Sequence, residues 1–430
     1  MKSTYTFIFL VLIVYQTDLY SYPKILPVKS NPDYLLITQN TLPIIDLTIN
    51  LNAGSSHDGS LPGLTNLSFE SISKLKYKDE KITDLFENIG AEFNYSVGKD
   101  FSTISVRFIN NRKNIDYVPN LLNFILTERK INKNDLEFIK EKTNNKIYSQ
   151  LLQPGSLASI KISEKFFIGT GYSHPVIGYK KSVNSISVTN INNHLEKIFN
   201  KESIAINLVG NINENESAHI ISTVLNNLPK GKKIRKEPSK IKFNGKMYLN
   251  KISMDIKQTH IFILMPGVKR TEESYYSLLV INYLFGGSGF GSTLFNEIRQ
   301  KRGLAYSVYS YLRPYNDFGV LAINMQTKNE NARQAINILK NEIFKLKNNT
   351  FINEEITHAK ESLLNSFNIR HDTNKKMLGL LSQINYFDMD LDYFRKYENS
   401  IRNVNDKSIE DVLQKKLFLE KSIITTVGNF

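Results

Sequence analysis

Two segments half a chain apart share one pattern, and that repetition limits what the chain can fold into. Residues Ser203 to Asn211 read Ser-Ile-Ala-Ile-Asn-Leu-Val-Gly-Asn, and Ser422 to Asn429 read Ser-Ile-Ile-Thr-Thr-Val-Gly-Asn. Each is an apolar strand closed by Val-Gly-Asn, a turn sequence. Upstream, at nearly the same separation, lie two matching helix openings, Val188 to Leu195 and Val404 to Asp411. Offsets of about half the chain argue for a duplicated domain. Length agrees, because 430 residues exceed what one hydrophobic core usually serves.

Between these markers the periodicity alternates between two kinds. Ile44 to Leu51 and Phe101 to Ile109 read as strands in the first half, with helical stretches at Leu64–Leu75, Val118–Thr127 and Lys133–Leu152, the last ended by Pro154-Gly155. In the second half His260–Met265, Leu304–Leu312 and Val320–Thr327 read as strands. Ser274–Phe285, Ser292–Arg302, Glu330–Leu346 and Asn353–Ile369 read as helices. Strands in pairs and helices in runs predict an α+β fold: two homologous domains, each a mostly antiparallel sheet with helices packed on one face.

The division predicted is a leader over 1–21, an N-terminal domain over 22–235 and a C-terminal domain over 236–430. The leader rests on Lys2 followed by an apolar block from Phe7 to Tyr15, too short to span a bilayer as a helix. It implies export, to a periplasm first and to the medium as the alternative, with no transmembrane anchor after cleavage. The domain boundary rests on the run from Lys230 to Lys246, which holds eight Lys and Arg against the single acid Glu237. That run reads as a solvated linker rather than a nucleic-acid patch, since no recognition motif accompanies it. The formal charge is +14, and acidic or unfolded peptides would suit it. The chain has no cysteine, which excludes disulfides, thiol nucleophiles and thiolate-held zinc.

Two further stretches carry chemistry. The first runs Gly63-Leu64-Thr65-Asn66-Leu67-Ser68-Phe69-Glu70. The second is a glycine-rich loop with Gly286, Gly287, Gly289 and Gly291, followed by Arg299-Gln-Lys-Arg-Gly-Leu-Ala-Tyr306-Ser-Val and, after the next strand, Gln326-Thr-Lys-Asn329. In both, and in His174-Pro175 and the two Val-Gly-Asn ends, the chain resembles the pitrilysin/insulinase family of zinc peptidases, which includes mitochondrial processing peptidase. The resemblance implies the two-domain metallohydrolase fold of that family, shared with LuxS.

In that family the first stretch holds the inverted zinc motif His-x-x-Glu-His, whose histidines bind the metal while the glutamate serves as general base. Here the three positions are Asn66, Phe69 and Glu70, and the position of the remaining ligand falls on Lys146, a cation that would repel a dication. The seven histidines are too scattered for any two to chelate zinc from one helix. The resemblance therefore implies a member that lacks its own metal site.

The second stretch is better kept, with Arg299 and Tyr306 at the family's spacing of an active-site arginine and tyrosine and the glycines as substrate-binding residues. The loop lacks the Gly-Lys-Ser/Thr ending of a phosphate loop and follows a helix, which argues against nucleotide. The function this implies is the non-metal subunit of a heteromeric zinc peptidase. Such a chain binds no cofactor itself, takes a peptide substrate and pairs with a homologous subunit that holds the zinc. A non-catalytic peptide-binding or scaffold protein of the same fold is the alternative, and an autonomous zinc peptidase with unconventional ligands is a third reading.

Overall fold

A computed structural model describes residues 22–28, 34–128, 130–234, 247–348 and 351–430. The leader read at 1–21 and the boundary read between 235 and 236 lie outside the described residues.

Residues 22–210 supply strands β1 (Leu26–Pro27), β2 (Tyr34–Thr38) and β3 (Ile44–Leu51). A short hairpin follows, β4 (Lys76–Tyr77) with β5 (Glu80–Lys81), and then β6 (Glu92–Val97), β7 (Ser102–Ile109) and β8 (Ile204–Gly210). Apart from the hairpin they form one six-stranded sheet in the order β1-β2-β8-β3-β7-β6. Residues 248–428 supply β9 (Tyr248–Ser253), β10 (Gln258–Gly267), β11 (Ala305–Pro314), β12 (Gly319–Lys328) and β13 (Ile423–Gly428), in the order β11-β12-β10-β13-β9.

The duplication read from the repeated strand is visible in this order. Strand β8 corresponds to β13, and the sequences β2-β8-β3-β7-β6 and β9-β13-β10-β12-β11 match position by position. In each sheet the pairing is antiparallel except where the repeated strand meets its outer neighbour, β2 with β8 and β9 with β13. The glycine of each Val-Gly-Asn serves close approach. A side chain on Gly210, whose φ is +143°, would strike the Ile44 carbonyl, and one on Gly428 would strike Thr259.

One face of the first sheet is closed by its own helices. Leu47, Ile49, Ile104, Val106, Ile206 and Leu208 form a core there with Leu67, Leu121, Leu122, Leu136 and Ile191. Helix Arg112–Thr127 begins six residues before the apolar stretch read from the sequence. Its first turn is polar, and Asn111 caps it by accepting the Asn114 N–H.

The opposite faces are closed by exchange. Helix Lys133–Leu152 ends ahead of Pro154 as read above, and Pro154 also opens a further helix, Pro154–Phe166, from its first position, where the missing N–H costs nothing. This helix and the loop after it lie on the second sheet. Ile162, Phe166, Phe167 and Tyr172 pack with Leu264, Tyr315, Phe318, Val320 and Ala322, the Phe167 ring 5.8 Å from Tyr315 and 5.7 Å from Phe318. In return helix Asn374–Phe387 lies across β3 and β8, with Met377, Leu378, Leu381 and Ile384 beside Leu35, Ile37 and Val209. This second contact has a polar seam: Asn374 Nδ2 donates to Asp46 Oδ2 at 3.0 Å and Asn385 Nδ2 to Asn207 Oδ1 at 2.6 Å. Between the two crossings sits Asp100, in the turn from β6 to β7. It accepts from the hydroxyls of Tyr172 and Tyr386, and burial raises its carboxyl above the usual range.

Because the exchanged helices belong to one half and pack on the other, the halves are expected to unfold in one transition. Phe167→Ala empties the centre of the shared aromatic cluster, and large-to-small changes of this kind cost ~3–5 kcal/mol. Urea denaturation followed by far-UV dichroism should show that loss with a single transition retained.

Candidate functional site

The helix that the resemblance aligns with the zinc motif spans Leu64–Glu70. Its start is held by Asp58, which accepts the N–H groups of Gly63 at 2.7 Å and Thr65 at 2.9 Å, and the Thr65 hydroxyl at 2.6 Å. Gly63 takes φ +97° there, and a side chain on it would press on the Ile177–Gly178 backbone. With its proton given to Asp58, Thr65 Oγ1 accepts from His194 Nε2 at 3.0 Å. Burial pushes the Asp58 carboxyl up to about 6, against the pull of its hydrogen bonds, and holds His194 down at about 4. Sequence reasoning missed this triad. Its only signal is an Asp ahead of a Gly-Leu-Thr helix start, a capping pattern.

Three residues project from this helix at the positions where the family carries its metal chemistry. Phe69 is fully buried and stands edge-on to Phe199 at 6.2 Å. Asn66 has a buried Nδ2 without a hydrogen-bond partner among the described residues. Glu70 reaches Lys146, which stands on helix Lys133–Leu152 as the resemblance requires. The Lys146 ammonium donates to Glu70 Oε1 at 2.7 Å, Lys142 lies 3.9 Å from Oε2, and the Tyr95 hydroxyl donates to Oε2 at 3.4 Å. Burial, with the Glu70 charge second, pushes Tyr95 up to about 12.

Of the four positions Glu70 and Lys146 meet in space, and the chemistry of the set is inverted. A phenyl ring replaces the general base, and an ammonium meets the one carboxylate. These residues do not fit a zinc ion. Among the described residues no cluster of three His, Asp or Glu side chains could hold one.

The second stretch folds as a helix–loop–helix against β11. Helix Ser274–Asn282 runs on into a π-helical turn, Tyr283–Gly287, and a second π-helical turn spans Phe295–Gln300. Such turns widen a helix and often accompany functional sites. The four glycines divide into two kinds. Gly286 and Gly287 are packing positions: a side chain on Gly286 would come within 2.6 Å of Ser310 Oγ, and one on Gly287 would strike Asn282. Gly289 and Gly291 face open space and take φ +70° and +89°, so backbone conformation alone requires glycine there.

Arg299 and Tyr306 meet. The Arg299 guanidinium carbon lies 4.6 Å from the centre of the Tyr306 ring, 5.1 Å from Phe295 and 5.8 Å from Phe290. Tyr306 is 83% exposed, turned outward by a bulge in β11 between Ala305 and Val308 that puts three residue steps opposite two on β12. Lys301 and Arg302 are turned away and both pair with Glu297, at 2.5 and 2.6 Å. Of the three cations in this turn, only Arg299 faces the aromatic rings.

Comparisons with known proteins bear on the family and the fold. The family description "Peptidase M16 inactive domain" matches residues 185–363. The crystal structure of a peptidase M16 inactive domain from Pseudomonas fluorescens superposes with a TM-score of 0.85 at 25% identity, covering 92% of this chain and 96% of that one. Over most of its length the chain is similar to M16 peptidases, and residues 185–363 match the inactive-domain description. Among curated relatives, the "uncharacterized zinc protease YmxG" of Bacillus subtilis is 24% identical over 88% of this chain and 92% of its own length. The "non-peptidase homolog YmxG" of Helicobacter pylori is 24% identical over 67% of each. The chain therefore has the fold that the sequence resemblance implied, and its similarities are to M16 proteins of the inactive-domain type.

Two measurements follow. Metal analysis of the purified chain after dialysis against zinc should find far less than one ion per molecule, and Lys146→Glu should not restore binding, because no histidine replaces Asn66 or Glu70. The Asp58–Thr65–His194 chain sets a pH dependence. The unfolded imidazole takes up its proton near 6.5 and the folded one not until about 4, so the stability His194 contributes is lost as pH falls through that window. Asp58 acts with the opposite sign, its folded carboxyl protonating near 6 before the unfolded one at 3.8. The urea midpoint of His194→Asn should therefore rise relative to the parent as pH is lowered from 6.5 to 4.

Proposed function

We propose that this chain is the non-metal subunit of a two-chain zinc peptidase, supplying Arg299, Tyr306 and half of the peptide-binding chamber to a homologous partner with an intact zinc motif. The observation that carries the reading is the contrast within one molecule. The metal position is filled by a Lys146–Glu70 ion pair, while Arg299 and Tyr306, far from it in sequence, stand together and reach solvent.

The chemistry suits the role. A tyrosine hydroxyl donates to the oxyanion that develops on a scissile carbonyl, and a guanidinium holds backbone oxygens of the peptide or fixes the tyrosine. Neither needs a metal in the same chain. The loop glycines would let a peptide backbone pass close by. Export to a periplasm, with the leader removed, belongs to the same proposal and rests on residues 1–21 of the sequence.

A second reading, a peptide-binding or scaffold protein without catalysis, is favoured by the name of the Helicobacter relative, a non-peptidase homolog. It leaves the exposure of Tyr306 unused. The two readings separate in one assay. The purified chain, a zinc-motif homologue from the same cell and their mixture are each tested for peptide hydrolysis. The chain alone should be inert and the mixture active. Tyr306→Phe or Arg299→Ala should lower the kcat of the mixture ~10²–10³-fold, the loss expected for one oxyanion donor. A mixture no better than the homologue alone, or indifferent to both substitutions, supports the scaffold reading. Cleavage by this chain alone with stoichiometric zinc overturns both.

A further inference from the structure

The two most exposed large hydrophobic side chains among the described residues are Tyr306, at 83%, and Phe290, at 79%. Single exposed hydrophobics need no explanation, but these two flank the same guanidinium. Phe290 stands between Gly289 and Gly291, two glycines in the left-handed conformation with open space where a side chain would stand, their carbonyls accepting from Ser292 and Asn296. Its ring leans on Phe295 at 4.8 Å between centres, tilted by 56°. The loop therefore spends two strained-for-others backbone positions on holding one phenyl ring in water beside Arg299.

From this we infer that Phe290 is a specificity-determining residue, receiving a bulky apolar side chain of the bound peptide next to the backbone held by Arg299 and Tyr306. The inference rests on the proposed peptide chamber and names what that chamber selects. A peptide whose backbone oxygens lie on Arg299 brings a neighbouring side chain within reach of a ring 5.8 Å away. The wall it meets is aromatic on three sides: Phe290, Phe295 and Tyr306. An aromatic or long aliphatic side chain gains area and ring contacts there. A lysine or arginine side chain meets Arg299, whose positive charge no carboxylate among the described residues neutralises, whereas Lys301 and Arg302 are already paired with Glu297. Selection therefore favours apolar residues and opposes basic ones at this position.

The chain has no tryptophan, so the emission of a tryptophan-bearing peptide reports its own surroundings. The experiment uses the full mature chain alone, titrated into an eight-residue alanine- and serine-based peptide with one central tryptophan, and into versions with lysine or norleucine beside that tryptophan. The expected result is a blue shift on binding. Affinity should fall about tenfold for Phe290→Ala, with most of it kept by Phe290→Leu, and the lysine peptide should bind several-fold more weakly than the norleucine one. Equal affinity of Phe290→Ala and parent, equal binding of the lysine and norleucine peptides, or no binding by the parent overturns the inference. Phe290 is exposed, so the unfolding midpoint of its variants should not move, which separates a contact with peptide from a fold defect. The assay needs no partner subunit: hydrolysis can fail in the mixture while this selectivity holds, and the selectivity can fail while Tyr306 still governs kcat.

Discussion

Everything about the site depends on an exchange of helices between the two halves. Each sheet buries one face against its own helices, and its other face is covered by a helix of the other half. Phe166 and Phe167 close the second sheet from the first half, and Met377, Leu381 and Ile384 close the first sheet from the second. The exchange fixes the two sheets relative to each other, and with them the Lys146–Glu70 pair and the Arg299–Tyr306 pair. The second crossing is partly polar, through Asn374, Asn385, Asn207 and Asp46. Amide pairs of this kind demand one register, since a shifted helix would leave buried donors unmet.

The ion pair at the former metal position is not there for stability. Its Lys146 side chain is 46% exposed, and pairs of that kind are worth ~0–1 kcal/mol. What it changes is the electrostatics of the spot. A dication needs converging lone pairs, whereas an ammonium presents only donors and consumes the single carboxylate available. Phe69 completes the change by extending the core with a ring stacked edge-on to Phe199, where a charged general base would have to be kept solvated. Phe69 thus serves packing and Glu70 and Lys146 serve pairing, while Asn66 keeps a buried Nδ2 without a partner among the described residues.

The second site presents its side chains rather than burying them. A bulge turns Tyr306 out of β11, π-helical turns reshape both helices around the loop, and the unpaired charge of Arg299 is held among rings at distances where cation–π attraction contributes. Glu297 draws off the two neighbouring cations, so that the local field near the rings belongs to one guanidinium.

The sequence by itself determined the family resemblance, the duplication and the absence of the zinc motif, because these rest on residue identities at fixed spacings: Val-Gly-Asn twice, Asn66, Phe69 and Glu70 in one helix, Arg299 seven residues before Tyr306. It also gave the alternating strands and most helices, since one-sided burial leaves a period. It could not give helix Pro154–Phe166 or Asn374–Phe387, whose neighbours lie in the other half of the chain and whose local pattern does not say which sheet they cover. Nor could it separate the packing glycines Gly286 and Gly287 from Gly289 and Gly291, or single out Phe290. Exposure, a strand bulge and the meeting of side chains distant in sequence are properties of the assembled surface. They were decided only when tertiary packing fixed which face of each element was left open.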